Sequence, residues 1–428
     1  MKIYFETYGC SANQNNTEIM KGIVVKFNHE IAETSEQADV IVLNTCIVKG
    51  PTENRMKHRI SELSKLSKPV IITGCMPDAR LKELRELAER YKNIRVLGTK
   101  NIQNIMKIIS SHEQILLSDK EIKLSKSKIK DNPVISVVQI SEGCLGNCSY
   151  CATKLAKGSL FSFPEQDILQ NIEHDLSGGS KELWITSQDN SVYMLDKTKK
   201  SRLPDLLNKI LNLPYEFFLR IGMMNPKSAI KIKNEIAEIL NHPKTFKFLH
   251  IPVQSGSDKI LKLMNRDYTI RDFTNLVAFF RENVPDLTLA TDIIVGFPGE
   301  TEEDFRDTLK IVKKIKPDIL NISRFWPMKG TKASKLKQIE PRIIKNRIVR
   351  LFKLYRSIQD NFKWIGWSGK CIIDNKSSNG MTARNPSYKK ILLETKDETL
   401  LGKFVSIQIT NIKKSLLIGK MIDKEGYQ

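Results

Sequence analysis

The stretch GCLGNCSYC, residues 143–151, decides how this chain is read. It places Cys144, Cys148 and Cys151 at C-x3-C-x2-C. A structural zinc site wants four ligands, usually from two C-x2-C knuckles. Here a fourth cysteine is missing and only one of the spacings suits a knuckle. Three thiolates on a short loop suit a 4Fe-4S cluster that leaves one iron open. Gly143 and Gly146 let such a loop fold tightly around its contents.

Outward from this loop the chain alternates between strand-like and helical segments. Six apolar runs, 134–140, 182–187, 217–222, 246–251, 289–296 and 319–324, are separated by amphipathic stretches. Successive strand–helix units of this kind predict a partial, open (β/α)6 parallel barrel rather than a full eight-unit one. The cysteine loop follows the first strand, which puts it at the carboxyl end of the strands, where barrel active sites lie. A basic amphipathic helix is expected over 342–359. Beyond it the pattern changes to short strands with Gly, Asn and Ser turns, in GKCIID, MTARN, KKILLE, KFVSIQIT and SLLIGKMI. That predicts a small carboxy-terminal β-barrel. Before the cysteine loop, 2–9, 40–45, 69–74 and 93–99 read as strands between helices, an α/β pattern of the doubly wound parallel type. Residues 111–132 are polar and Lys-rich and read as a linker. The expected divisions are therefore 1–110, 111–132, 133–363 and 364–428.

Three further cysteines, Cys10, Cys46 and Cys75, are far apart in sequence. Each ends a predicted parallel strand, in TYGC, NTC and TGC. Ligands of open α/β sheets bind beyond those ends, and the following helix start favours thiolate. Spacing alone leaves two readings open: a second cluster with an open iron, or three packed apolar cysteines. An odd total of seven cysteines argues against a disulfide framework. Cys371 has no partner in the pattern and reads as a packed thiol.

Lys and Arg total 69 against 48 Asp and Glu, a net charge of +21. Such an excess points to a polyanion such as nucleic acid, or to a generally Lys-rich composition. With 40% hydrophobic and 27% charged residues the chain is not wholly disordered. No apolar run is long enough to cross a membrane. The start, MKIYFETYGC, lacks a signal-peptide core, so a cytoplasmic location is expected. No repeat or coiled-coil pattern suggests assembly, and a monomer is expected.

C-x3-C-x2-C after the first strand of a partial barrel resembles the radical S-adenosylmethionine enzymes. YGCSANQNNTEIM (8–20), NTCIVKGPTENRM (44–56) and TGCMP (73–77) resemble the three amino-terminal cysteine motifs of the methylthiotransferases in that group. The resemblance extends over nearly the whole chain. It implies an amino-terminal cluster domain, a radical S-adenosylmethionine barrel and a carboxy-terminal TRAM domain, an OB-like RNA-binding barrel. VKGPTENRM, WITSQD (184–189) and RIGMMNP (220–226) are similar to the archaeal and eukaryotic branch, which acts on N6-threonylcarbamoyladenosine in tRNA.

The same resemblance implies a reaction, its cofactors and its site residues. A methylthio group is attached at carbon 2 of the adenosine next to the anticodon. Two 4Fe-4S clusters are held by Cys10, Cys46 and Cys75 and by Cys144, Cys148 and Cys151, and two S-adenosylmethionine molecules are used per turnover. Carbon 2 carries an unactivated C–H bond, beyond easy reach of acid–base chemistry, so no catalytic side chain is assigned beyond the clusters. Tyr150 matches the aromatic that packs near the adenine. Gln188, Asp189, Asn225 and Gln254 are strand-end polar groups placed to bind S-adenosylmethionine, whereas His250 reads as structural. Lys370, Arg384, Tyr388, Lys389 and Lys390 are expected to contact RNA. Partners implied are the tRNA anticodon stem-loop, a flavodoxin- or ferredoxin-type electron donor and a sulfur donor. Two departures stand out: Lys157 where an Arg is common, and MKGT (328–331) in place of Arg-Pro-Gly-Thr. The alternatives are the same chemistry on another adenosine or on a ribosomal-protein aspartate, a methylase using only the central cluster, and a non-catalytic iron–sulfur RNA-binding protein.

Overall fold

A computed structural model describes residues 1–111, 113–117, 121–124 and 128–422. Residues 112, 118–120 and 125–127 of the expected linker, and 423–428 of the expected tail domain, lie outside the described residues.

The amino-terminal runs VIVLNT and VIITG are buried throughout, as strands covered on both faces must be. They form the centre of a parallel six-stranded sheet. Its order is Glu30–Ile31, Lys2–Thr7, Val40–Thr45, Val70–Gly74, Ile94–Leu97 and Ile115–Leu116. The four expected strands are all present, and two short edge strands extend them. One edge, Ile115–Leu116, comes from the segment read as a linker and pairs with Val96 and Leu97. Two lysines of that segment are also buried: Lys123 against Glu142, and Lys128 at 2.6 Å from Asp175. Its polar composition suggested solvent, but each ammonium meets a carboxylate of the strands and helices that follow.

The central part supplies all six expected strands. Ile135–Gln139, Glu182–Thr186 and Phe218–Ile221 form one parallel sheet, and Phe248–His250, Thr288–Val295 and Ile319–Arg324 another. A parallel bridge from Leu219 to Thr245 connects the two. Helices such as Ile270–Asn283 and Glu302–Ile315 cover them, each opened by a capping box, Thr269 with Asp272 and Thr301 with Asp304. Such a cap stabilises a helix by about 1 kcal/mol. One core joins strands and helices through Ile185, Leu219, Phe273, Phe305 and their neighbours.

The tail closes into a five-stranded barrel in the order Ser368–Ser377, Gly380–Arg384, Lys390–Leu393, Leu416–Met421 and Phe404–Lys413. Cys371 is fully buried in its core, beside Ile373, Ile391 and Ile407. Ile372, Tyr388 and Phe404 pack on Ile135, Phe218 and Phe248. Those three open their strands, so the small barrel closes the amino end of the central strands. The opposite, carboxyl end is left to the cysteines.

Candidate cluster and cofactor site

The strand ends set the cysteines. Cys46 directly follows Val40–Thr45, Cys75 follows Gly74, and Cys10 caps the helix Ser11–Lys26. Gly74 has φ +87°, and a Cβ there would lie 2.4 Å from the Thr45 carbonyl oxygen. Gly143 has φ +79°, with a Cβ 2.1 Å from the Ser159 carbonyl oxygen. Both turns that present a cysteine thus accept only glycine. Buried Asn13 holds the amino-terminal loops together: its Nδ2 donates to the carbonyls of Tyr8 (2.8 Å) and Thr45 (2.9 Å), and the Cys75 thiol points at its Oδ1.

The short helix Cys75–Ala79 packs against Ala152–Lys157, the helix that follows Cys151. This contact brings the two cysteine sets together. Cys10, Cys46, Cys75, Cys144, Cys148 and Cys151 all line one cavity of about 330 Å³. Among the described residues no three carboxylate, imidazole or thiol groups gather tightly enough for a lone ion. The thiols stand around the cavity instead of converging on one point within it.

The donor set fits iron–sulfur clusters. Burial raises the Cys46 and Cys151 thiols, and lifts Cys144 to about 11 and Cys75 to about 12. Such thiols stay neutral until a metal displaces their protons. Groups suited to the resulting negative charge surround them. Arg266 Nη1 lies 3.2 Å from Cys148 Sγ, the Gly146 N–H donates to Cys144 Sγ at 3.2 Å, and Lys154 donates to the Cys144 carbonyl. Hydrogen bonds to ligand sulfur are among the levers that set a cluster's potential.

Beneath the cavity lies a buried charge triad. Glu142, next but one before Cys144, accepts from Lys123 and from Lys157 (2.9 Å). Lys157 also donates to Thr99 Oγ1 (2.7 Å), and Lys123 to the Thr99 carbonyl (3.0 Å). Burial opposes the Glu142 carboxylate, but the two ammonium groups overcome it and hold it at about 2. The triad joins the amino-terminal sheet, the segment read as a linker and the Cys144 loop.

Tyr150, Gln188, Asp189, Asn225 and Gln254 all line the six-cysteine cavity. Their local roles differ. Gln188 accepts from the Gly143 N–H at 2.6 Å and so braces the cysteine loop. Asp189 is buried and accepts from Ser191 and from the Asn225 N–H at 3.1 Å, acting as a cap. Asn225 caps the next helix through Lys227. Gln254 sits at φ +71°, a left-handed backbone that costs a non-glycine residue energy and aims it into the cavity. Tyr150 packs edge-on against Phe297. His250 bonds Asp292 at 3.1 Å.

The expected RNA-contact residues fall largely in the seam between the tail barrel and the central strands. Arg384 is paired with Asp374 (2.6 Å) and Glu182 (3.4 Å), and Lys389 with Asp318 (2.7 Å). The Tyr388 ring packs 4.6 Å from Phe248 and 4.9 Å from Phe246. These three are consumed in the seam under the central strands, away from the cysteines. Lys370 pairs with Glu216 across the same seam but remains half-exposed, and Lys390 is exposed. Missed in the sequence were Asn13, Lys154 and Arg266, together with Lys49 and Trp326, which line a second cavity of about 530 Å³ with the strand-end residue Arg324. Arg266 lies 118 positions from the cysteine it faces, so no spacing announces it.

Known proteins resemble this chain over nearly its whole length. The model of Uncharacterized protein family UPF0004 matches residues 2–96, and that of the Radical SAM superfamily residues 138–312. The threonylcarbamoyladenosine tRNA methylthiotransferase of Xenopus laevis is 36% identical over 98% of this chain and 77% of its own length. A Methanocaldococcus jannaschii protein named "Probable threonylcarbamoyladenosine tRNA methylthiotransferase" is 37% identical over 99% of this chain and 97% of its own. Among solved structures, the radical S-adenosylmethionine methyltransferase TsrM from Kitasatospora setae matches 78% of this chain and 76% of its own. Its TM-score is 0.55 at 15% identity, a likeness of fold alone.

Proposed function

The chain belongs to the threonylcarbamoyladenosine tRNA methylthiotransferase family, and from that premise we propose that its six-cysteine cavity attaches a methylthio group to carbon 2 of N6-threonylcarbamoyladenosine in tRNA, next to the anticodon. The observation that carries this reading is the convergence of both cysteine sets on one cavity. Cys144, Cys148 and Cys151 hold one 4Fe-4S cluster, and Cys10, Cys46 and Cys75 the other. With two S-adenosylmethionine molecules per turnover, the bound groups supply radical hydrogen abstraction at an unactivated C–H bond, the sulfur and the methyl group.

The chain's own residues bind, orient and shield. Arg266 and Lys154 offset negative charge at the Cys144 loop. Gln254 and Asn225 present polar groups to S-adenosylmethionine, and Tyr150 walls its adenine. Gln188 and Asp189 hold the loops that carry these groups. The central strands act as a partial (β/α)6 barrel, and the five-stranded closed barrel as a TRAM domain. Exposed cations such as Lys390, Arg342 and Lys345 offer phosphate contacts. The enzyme works as a cytoplasmic monomer, with a flavodoxin- or ferredoxin-type reductant and a separate sulfur donor.

The test is mass spectrometry of nucleosides from tRNA of a host that makes threonylcarbamoyladenosine, with and without this protein. The 2-methylthio nucleoside is expected only with the protein. Its absence while 5′-deoxyadenosine is still formed would move the chemistry to another substrate.

A further inference from the structure

We propose that the second cavity reads the carboxylate of the threonylcarbamoyl group, with Arg324, stacked on Trp326, and Lys49 as its cationic wall. The inference rests on threonylcarbamoyladenosine being the substrate and adds the residues that recognise it. The cavity, of about 530 Å³, shares Cys10, Tyr150, Cys151, Thr153, Met223 and Gln254 with the six-cysteine cavity. A base whose carbon 2 must reach both cysteine sets enters through space continuous with them, and this is such a space.

The wall chemistry suits one ligand class. Trp326 is held in place: its ring lies so close over Gly50 that a Cβ there would approach it to 2.8 Å. The Arg324 guanidinium carbon sits 4.2 Å from the centre of that ring. Its Nε is buried without an acceptor, and no described residue forms an ion pair or hydrogen bond with the guanidinium. Lys49, at the start of the helix Gly50–Leu63, contributes a second, exposed ammonium to the cavity. The cavity's one carboxylate, Asp292, is already engaged by His250 at 3.1 Å and Asn321 at 2.7 Å. The cavity therefore holds a guanidinium without an acceptor among the described residues, Arg324, and a second, exposed cation, Lys49, whose charge also acts on Asp292. Threonylcarbamoyladenosine brings a planar base with a single carboxylate on its N6 substituent. A guanidinium binds a carboxylate through two parallel hydrogen bonds. The neighbouring groove, which Arg324 also borders, adds Arg342 and Lys345 as candidate contacts for backbone phosphates.

The experiment measures binding, so it does not depend on turnover. Fluorescent anticodon stem-loops carry adenosine, threonylcarbamoyladenosine or its neutral threoninamide beside the anticodon. Each is titrated into anaerobically reconstituted wild-type protein, Arg324→Gln, Arg324→Lys and Lys49→Gln. Wild type is expected to bind the acid roughly 10- to 100-fold more tightly than the amide, the range for a hydrogen bond to a charged group. Arg324→Gln should lose most of the preference, binding the acid near the wild-type affinity for the amide and the amide unchanged. Arg324→Lys should retain part of the preference, and exposed Lys49→Gln should weaken the acid alone. Equal binding of acid and amide by wild type overturns the proposal without any variant. Loss of the same factor for both ligands in Arg324→Gln overturns it too, assigning Arg324 to a phosphate. A carboxylate preference without the methylthio product would keep this site and sink the reaction. Product without the preference would do the reverse.

Discussion

Replacing Glu142 by glutamine removes the carboxylate that pairs with two buried ammonium groups, Lys123 and Lys157. Lys123, Glu142 and Lys157 have side chains 0%, 0% and 1% exposed. In the folded protein the two cations hold Glu142 at about 2 against an ordinary 4.5, despite the burial that opposes its charge. A shift of that size corresponds to about 3 kcal/mol. Removing one partner of a buried ion pair costs about 3–5 kcal/mol, because the remaining charge is left uncompensated. Thr99 still accepts from both ammonium groups, which places the expected loss toward the lower end. The stabilisation is present above about pH 4.5 and is lost as pH falls towards 2, because the folded carboxyl holds its proton less tightly than the unfolded one. Urea denaturation at pH 7, followed by tryptophan fluorescence, measures the loss, and Glu142→Gln with Lys157→Met should recover part of it. The triad also braces the Cys144 loop against the amino-terminal sheet. The variant should therefore make more 5′-deoxyadenosine per methylthio product. A Glu142→Gln protein within about 0.5 kcal/mol of wild type, the range of an ordinary surface change, with an unchanged product ratio, would refute the reasoning.

Cys46→Ala should retain about four irons per chain after reconstitution, against about eight for wild type, as two independent three-thiol sites require; unchanged iron would mean that the amino-terminal cysteines hold none. Gly74→Ala puts a Cβ 2.4 Å from the Thr45 carbonyl at a positive φ. It should lose well over 1 kcal/mol and the amino-terminal cluster's absorbance, while Gly179→Ala, also at positive φ but with no atom within 4 Å, separates strain from collision. Burial lifts Glu18 to about 7, with Lys128 only partly opposing it, and its Oε2 has no partner. Its raised value favours the fold fully below about 4.5, and that contribution fades as pH rises through 7. Glu18→Gln should therefore match wild type at pH 5 and exceed it at pH 8 by up to about 3 kcal/mol in urea melts; parallel curves at both pH values would exclude it. Stem-loop affinity should fall steeply between low and physiological salt, read as a linear slope in logarithmic units.

Local order in the chain was enough for the four main amino-terminal strands, the six central strands and the placing of cysteines at strand ends. Buried β-branched runs at VIVLNT and VIITG, and the C-x3-C-x2-C loop, are patterns of period and spacing that neighbouring residues define. A strand end is likewise a local feature, which is why Cys10, Cys46 and Cys75 could be placed on one edge from the sequence. Only the tertiary structure decided that the two sets share a cavity, because that depends on Cys75–Ala79 packing against Ala152–Lys157 across the domain boundary. The fate of the charges was decided there as well. Arg384, Tyr388 and Lys389 look like an RNA face in sequence but are consumed by Glu182, Phe248 and Asp318. Lys123 looks like linker and is fully buried. Arg324 reads as a pocket-facing strand end, but only the fold shows its guanidinium stacked on Trp326 with no acceptor among the described residues. A cation's role follows from which carboxylate, ring or solvent its side chain meets, and those partners come from distant parts of the chain. Period and spacing carry information about neighbours; the pairing of a charge is a property of the fold.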